Sequence, residues 1–177
     1  MSFTSNLEIS TTQPFQRQAN SFRRTRSAIL NGAKAMIIKQ GVHKTSMIEI
    51  ADEAEVSRAT LYNHFRDKES VIRALLESEV ERILECGDAQ SDPALSLARI
   101  SNEISSDKAL ASMRISDPAL LALMVTISSN ALWATIMAGL EKLVPESGEL
   151  ALRWLIGQCF APLSSPQAQI QAETLVR

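Results

Sequence analysis

The chain is poor in the residues that brace irregular folds. Its 177 residues include only two cysteines, six glycines and six prolines. Cys86 and Cys159 stand alone, with no CxxC pair and no histidine beside either. Neither a disulfide scaffold nor a thiolate metal site is indicated, and a reducing compartment fits. So little glycine and proline also argues against an all-β or collagen-like chain. Two histidines, no acidic pair at metal-ligand spacing and no glycine-rich phosphate loop disfavour an enzyme, and no cofactor or metal is expected. Residues 1–20 lack the positive-then-apolar layout of a secretory signal and read as a mobile leader of a cytoplasmic protein.

Charge is absent from one stretch as well. "PALLALMVTISSNALWATIMAGL", Pro118 to Leu140, is long enough to cross a bilayer. Thr126, Ser128, Ser129, Asn130 and Thr135 interrupt its centre, however, and no basic cluster flanks it to set an orientation. A buried helix of a bundle, with no membrane contact, is the expectation.

What is present points to a globular all-α chain. Hydrophobic residues make up 45% and charged residues 21%, ordinary for a folded domain, and neither a strand pattern nor an internal repeat is visible. The net charge of -2 hides an asymmetry: residues 1–70 carry a net +3 and residues 71–177 a net -5. The front of the chain suits a polyanion.

Apolar positions at Ile29, Leu30, Ala33, Met36 and Ile37 predict a helix over about 22–40 with one buried face, stopped by Gly41. Ser46 and Glu49 form a capping box opening a second helix at Met47. Ser57 caps a third, ending near His64, with Leu61 and Phe65 pointing inward. Asp67 caps a fourth, whose apolar stripe runs from Val71 to about Cys86. Further helices are expected at 93–105, 107–114, 118–143, 147–163 and 166–177, with Asp92-Pro93 and Asp117-Pro118 as starts. The resulting organisation is a leader (1–20), a helix-turn-helix unit (21–66) and a helical regulatory and dimerisation domain (67–177).

Two short helices across a tight turn form a unit whose second helix can enter a DNA major groove. Leu61 faces back toward the first helix, which leaves Arg58, Ala59, Thr60, Tyr62, Asn63 and His64 outward. The segment "IEIADEAEVSRATLYNHFRDKESVIRALL" resembles the DNA-binding region of the TetR family of bacterial transcriptional regulators, and "AILNGAKAMIIKQGVHKTS" is similar to its first helix and the capped start of its second. The likeness runs over residues 24–76, including Tyr62, Phe65 and Lys68; beyond Leu76 only the helical layout agrees. Glu55 stands where the family usually has glycine, which requires either a left-handed residue or a reshaped turn.

The resemblance implies a dimeric regulator, a repressor of a near-palindromic operator in double-stranded DNA, released by a small-molecule effector. It points to Arg58, Thr60 and Asn63 for base edges or nearby phosphates and to Tyr62, His64 and Lys68 as backbone anchors, with Ser46, Ser57 and Ala59 completing the surface. Arg23, Arg24 and Arg26 form either a flexible arm reaching DNA or solvated charge at a frayed terminus. Met124, Ser128, Asn130, Trp133 and Met137 either wall an effector pocket or pack between helices. Residues 147–177 have apolar positions on more than one face, which suits either a homodimer interface or an intrachain core. A DNA-bound adaptor or architectural protein without a small-molecule pocket is the competing function.

Overall fold

The computed structural model describes residues 12–88, 92–126 and 131–177. Ten helices and no strand occur among the described residues. They are α1 (Thr12–Gln40), α2 (Met47–Glu53), α3 (Arg58–His64), α4 (Lys68–Asp88), α5 (Pro93–Ser106), α6 (Lys108–Ser116), α7 (Pro118–Thr126), α8 (Ala131–Leu143), α9 (Gly148–Phe160) and α10 (Ser165–Leu175). All-α architecture is thus what the residue pattern anticipates.

Local chemistry sets most boundaries of the first unit. Gly41 ends α1 with φ 85°, and its amide donates to Ile37 O at 2.9 Å. A side chain there would be strained, and its Cβ would drive into Ser116 and Asp117. Ser46 and Glu49 form the full reciprocal box at the start of α2. The turn after α2 closes when Val56 N donates to Ala51 O at 3.0 Å. Glu55 takes the left-handed conformation, φ 54°, so the turn keeps its shape with a strained glutamate where glycine is free of strain.

The expected start of the first helix is corrected. α1 begins at Thr12, well ahead of residue 22, because a polar helix needs no apolar stripe and Pro14 falls in the first turn, where no amide partner is lost. The part of the leader at residues 1–11 lies outside the described residues. Within the expected helix over 118–143 the described residues form α7 and α8, and 127–130 between them lie outside the described residues. α6 and α7 meet at 116° around Asp117-Pro118, and among the described residues no single helix is long and apolar enough to cross a membrane.

Two apolar cores result. In the first, Ile29, Ile50, Leu61, Phe65 and Val71 bring α1 to α4 together, and Met113 and Leu121 of α6 and α7 close it. The second joins Leu97, Ile100, Leu140, Ala151, Leu155 and Ala172 of α5, α8, α9 and α10. One side of α9 and of α10 is therefore intrachain core; Leu155, Ala151, Ala168 and Ala172 are buried. Leu150, Phe160 and Ile170 remain exposed on the same helices.

Candidate functional site

α3 is a short rod with one committed face. Ser57 Oγ accepts from Thr60 N at 3.0 Å and pairs with Thr60 Oγ1 at 2.7 Å, satisfying an orphan amide at the helix start. Leu61 is fully buried against α1 and α2. Ser57, Arg58, Ala59, Tyr62 and Asn63 are exposed, Tyr62 to 53%, with Ala59 and Asn63 on the side of the helix away from Leu61. Those side chains are free to meet a ligand surface. Thr60 is half-buried and shares its hydroxyl with Ser57.

Three other expected contact residues are already engaged within the protein. His64 stacks on Phe22 of α1, ring centroids 4.1 Å apart, and its buried Nδ1 has no hydrogen-bond partner among the described residues. Burial, then the nearby charge of Arg26, hold its pKa below the usual histidine range. Lys68 Nζ donates to the carbonyls of Thr45 at 2.9 Å, Val42 at 3.1 Å and His43 at 3.3 Å. Its three donors are thereby spent on the loop between α1 and α2, so the structure gives it a loop-closing position rather than that of a free phosphate anchor. Ser46 is likewise occupied in the capping box: its Oγ donates to Glu49 Oε2 at 2.7 Å.

The arm is corrected too. Arg23, Arg24 and Arg26 lie inside the continuous helix α1, where the sequence suggested a flexible approach to the helix. Arg23 and Arg24 are exposed. Arg26 is half-buried, its guanidinium 4.9 Å from the centroid of the Phe65 ring.

A cavity of about 220 Å³ lies between α4 and the helices that follow, with further wall from α1. Its wall is almost wholly apolar, including Leu76, Val80, Leu110, Ile136 and Leu152. Met124 and Trp133 line it as the sequence suggested, whereas Met137 does not. Ser128, Ser129 and Asn130 lie outside the described residues. Cys159 also lines the cavity, and burial pushes its thiol up to about 11, leaving it protonated and unreactive.

The polar part of the wall is an ion cluster that sequence reasoning missed. Lys34 of α1 bridges Glu79 of α4 and Asp107 at the start of α6, each at 2.9 Å. Burial opposes charge on Lys34, yet its bonds to Glu79 and Asp107 outweigh it and raise the pKa. A second link runs from the α6–α7 corner to the loop after α1. Buried Asp117 accepts from Val42 N at 2.8 Å and from His43 N at 3.0 Å. These partners are 74 and 75 residues apart in sequence, so no local pattern announces them.

The family model for bacterial regulatory proteins of the tetR family matches residues 29–75, which contain α2, α3 and their supports. The HTH-type transcriptional regulator UidR of Escherichia coli K12 is 40% identical over 60 residues, 34% of this chain and 31% of that protein. Residues 29–75 thus match the TetR family's regulatory-protein model. TtgR of Pseudomonas putida, another HTH-type transcriptional regulator, is 35% identical over 63 residues, covering 36% of this chain and 30% of that one. In both cases the match spans about a third of the curated relative's length. GusR of Salmonella enterica has the same fold, with TM-score 0.61 at 20% identity over 86% of this chain and 95% of that one. The TetR likeness in sequence is thus concentrated in the reading unit, while the likeness in fold extends through the carboxyl-terminal helices.

Proposed function

We propose that the protein is a dimeric DNA-binding transcriptional repressor released by a small apolar effector. The observation that carries this reading is the solvent side of α3, where Arg58, Tyr62 and Asn63 are exposed while Leu61 of the same helix is fully buried. A guanidinium and an amide on one rigid helix are the groups that pair with guanine and adenine edges, and a phenol suits a phosphate. Ala59 and Thr60 belong to the same short helix, and the hydroxyls of Ser46 and Ser57 hold the starts of α2 and α3 in place.

One copy reads little. Seven residues at about 1.5 Å rise cover roughly three base pairs. A second copy related by a two-fold axis gives a near-palindromic site of useful length, and the exposed Leu150, Phe160 and Ile170 on α9 and α10 supply an apolar surface for that pairing.

The cavity favours a sensor over an adaptor without a pocket. Its apolar wall suits a compact, mainly apolar molecule. α6 contributes Leu110 and Met113 to that wall, and the corner that ends α6 holds the loop leading into α2 through Asp117. A ligand that displaces α6 therefore pulls on the support of α3. A difference of about 1–3 kcal/mol between the two arrangements would weaken operator binding roughly five- to 150-fold.

Selection of bound fragments from the source genome tests the reading. Fragments that outcompete bulk DNA at moderate salt and share an inverted repeat are the expected result. Retention of all fragments alike would overturn sequence-specific regulation.

A further inference from the structure

The first two core residues of α1 are Ile29 and Leu30, yet the helix begins at Thr12. About 14 residues, some 21 Å of helix, project ahead of the core. Residues 16–24 are exposed throughout. A polar helix of this length gains nothing from core burial and is marginal by itself.

Its charge is one-sided. Between Glu8 and Glu49 the chain has seven basic residues and no acidic one. Lys34 is neutralised by Glu79 and Asp107, and Arg26 lies over Phe65. No ion pair holds Arg17, Arg23 or Arg24 among the described residues. Arg17 and Arg24, seven residues apart, share a ridge of the helix, and Arg23 stands about a quarter turn away.

The projecting segment is also tied to α3. Phe22, still 54% exposed, stacks on His64 at the end of α3, and Arg26, one turn later, covers Phe65. The arm therefore leaves the unit beside His64, at the end of α3, and is held there by these two contacts. Between residues 16 and 24 only Ala19 and Phe22 are apolar, too little for a helix that lies in a membrane surface.

We propose that residues 12–25 of α1 are a second DNA-contacting element, a rigid basic arm whose Arg17, Arg23 and Arg24 lie on the phosphate backbone flanking the bases read by α3. The proposal rests on the DNA-binding reading of α3. Its length matches about six base-pair steps, so the arm extends the footprint beyond the recognition helix without adding base specificity. Guanidinium groups suit this role because their planar forks bind phosphate oxygens in pairs.

The test compares the full chain with the variant Arg17→Gln, Arg23→Gln, Arg24→Gln, in which helix propensity is nearly unchanged. Binding to a random-sequence duplex is followed by fluorescence anisotropy across a salt series, with circular dichroism to confirm the fold. Removal of three phosphate contacts should flatten the salt slope by about 2.7 per protomer, so that from 50 to 200 mM salt the parent loses about 40-fold more affinity than the variant. Phe22→Ala keeps every charge but frees the arm, and should weaken binding several-fold. Parent binding with an unchanged slope in the triple variant overturns the arm and leaves the reading of α3 standing. A parent chain that binds no DNA overturns both. Binding of the parent to phosphatidylserine vesicles, lost in the triple variant while the DNA slope stays the same, would reassign the arm to a membrane surface.

Discussion

Ile29, Ile50 and Leu61 are fully buried where α1, α2 and α3 meet, whereas the space between α4 and the carboxyl-terminal helices contains a cavity of about 220 Å³. Gly32 lets α1 and α2 approach so closely that a Cβ there would stand 3.0 Å from that of Ala54. The two regions differ in sequence likeness in the same sense. The family match covers residues 29–75, while the rest is related to GusR in fold at 20% identity overall. A unit that must hold one helix at one angle tolerates little variation in packing. A region that needs only an apolar bundle around a space tolerates much more.

The sharpest way to break the comparison is to cut a side chain from the tight region. Leu61→Ala should destabilise the protein by about 3–4 kcal/mol, measured by denaturant unfolding. A loss below about 1 kcal/mol would mean that the first core is as forgiving as the second.

Asp117 joins the two regions. Asp117→Ala leaves the amides of Val42 and His43 without their acceptor and should cost about 2–3 kcal/mol. Burial works against its charge, but bonds from Ser116 and from the Val42 and His43 amides hold its carboxyl below the usual range. The stability it contributes is therefore complete above the ordinary aspartate pKa of about 3.9 and is lost as pH falls through the depressed folded value. Unfolding measured from pH 6 downward should show a smaller acid-induced loss in the variant than in the parent. Parallel pH profiles would remove Asp117 from the coupling path.

Glu55→Gly is the gentlest probe. It relieves the left-handed strain at φ 54° but gives the unfolded chain more freedom, so a net gain of about 0.5–1 kcal/mol is expected. A lower denaturation midpoint would show that the glutamate side chain itself supports the turn.

How much of this was legible in the sequence follows the range of each interaction. The box at Ser46 and Glu49 and the cap at Ser57 involve neighbours within a few residues, and the pattern alone displayed them, whereas at Glu55 the sequence left a left-handed residue and a reshaped turn both open and the structure has the former. Leu61 was legible as the inward residue because helical periodicity separates faces. The forward extension of α1 was not, since periodicity marks only helices that bury a stripe. Lys68 resembled a free cation because its acceptors at Val42, His43 and Thr45 lie 23 to 26 residues away. Lys34, Glu79 and Asp107 meet only after three helices pack, and the cavity has no local signature at all.

Base readout by the outer face of α3 is the claim on which the function depends most. It is tested most directly by measuring the affinity of the parent and of Arg58→Ala for duplexes that each change one base pair of a genome-selected site. The parent should lose about 1–3 kcal/mol at each contacted position, and the variant should become indifferent at one position in each half-site. A parent that binds every duplex equally, or a variant that keeps the full preference profile, would contradict the account.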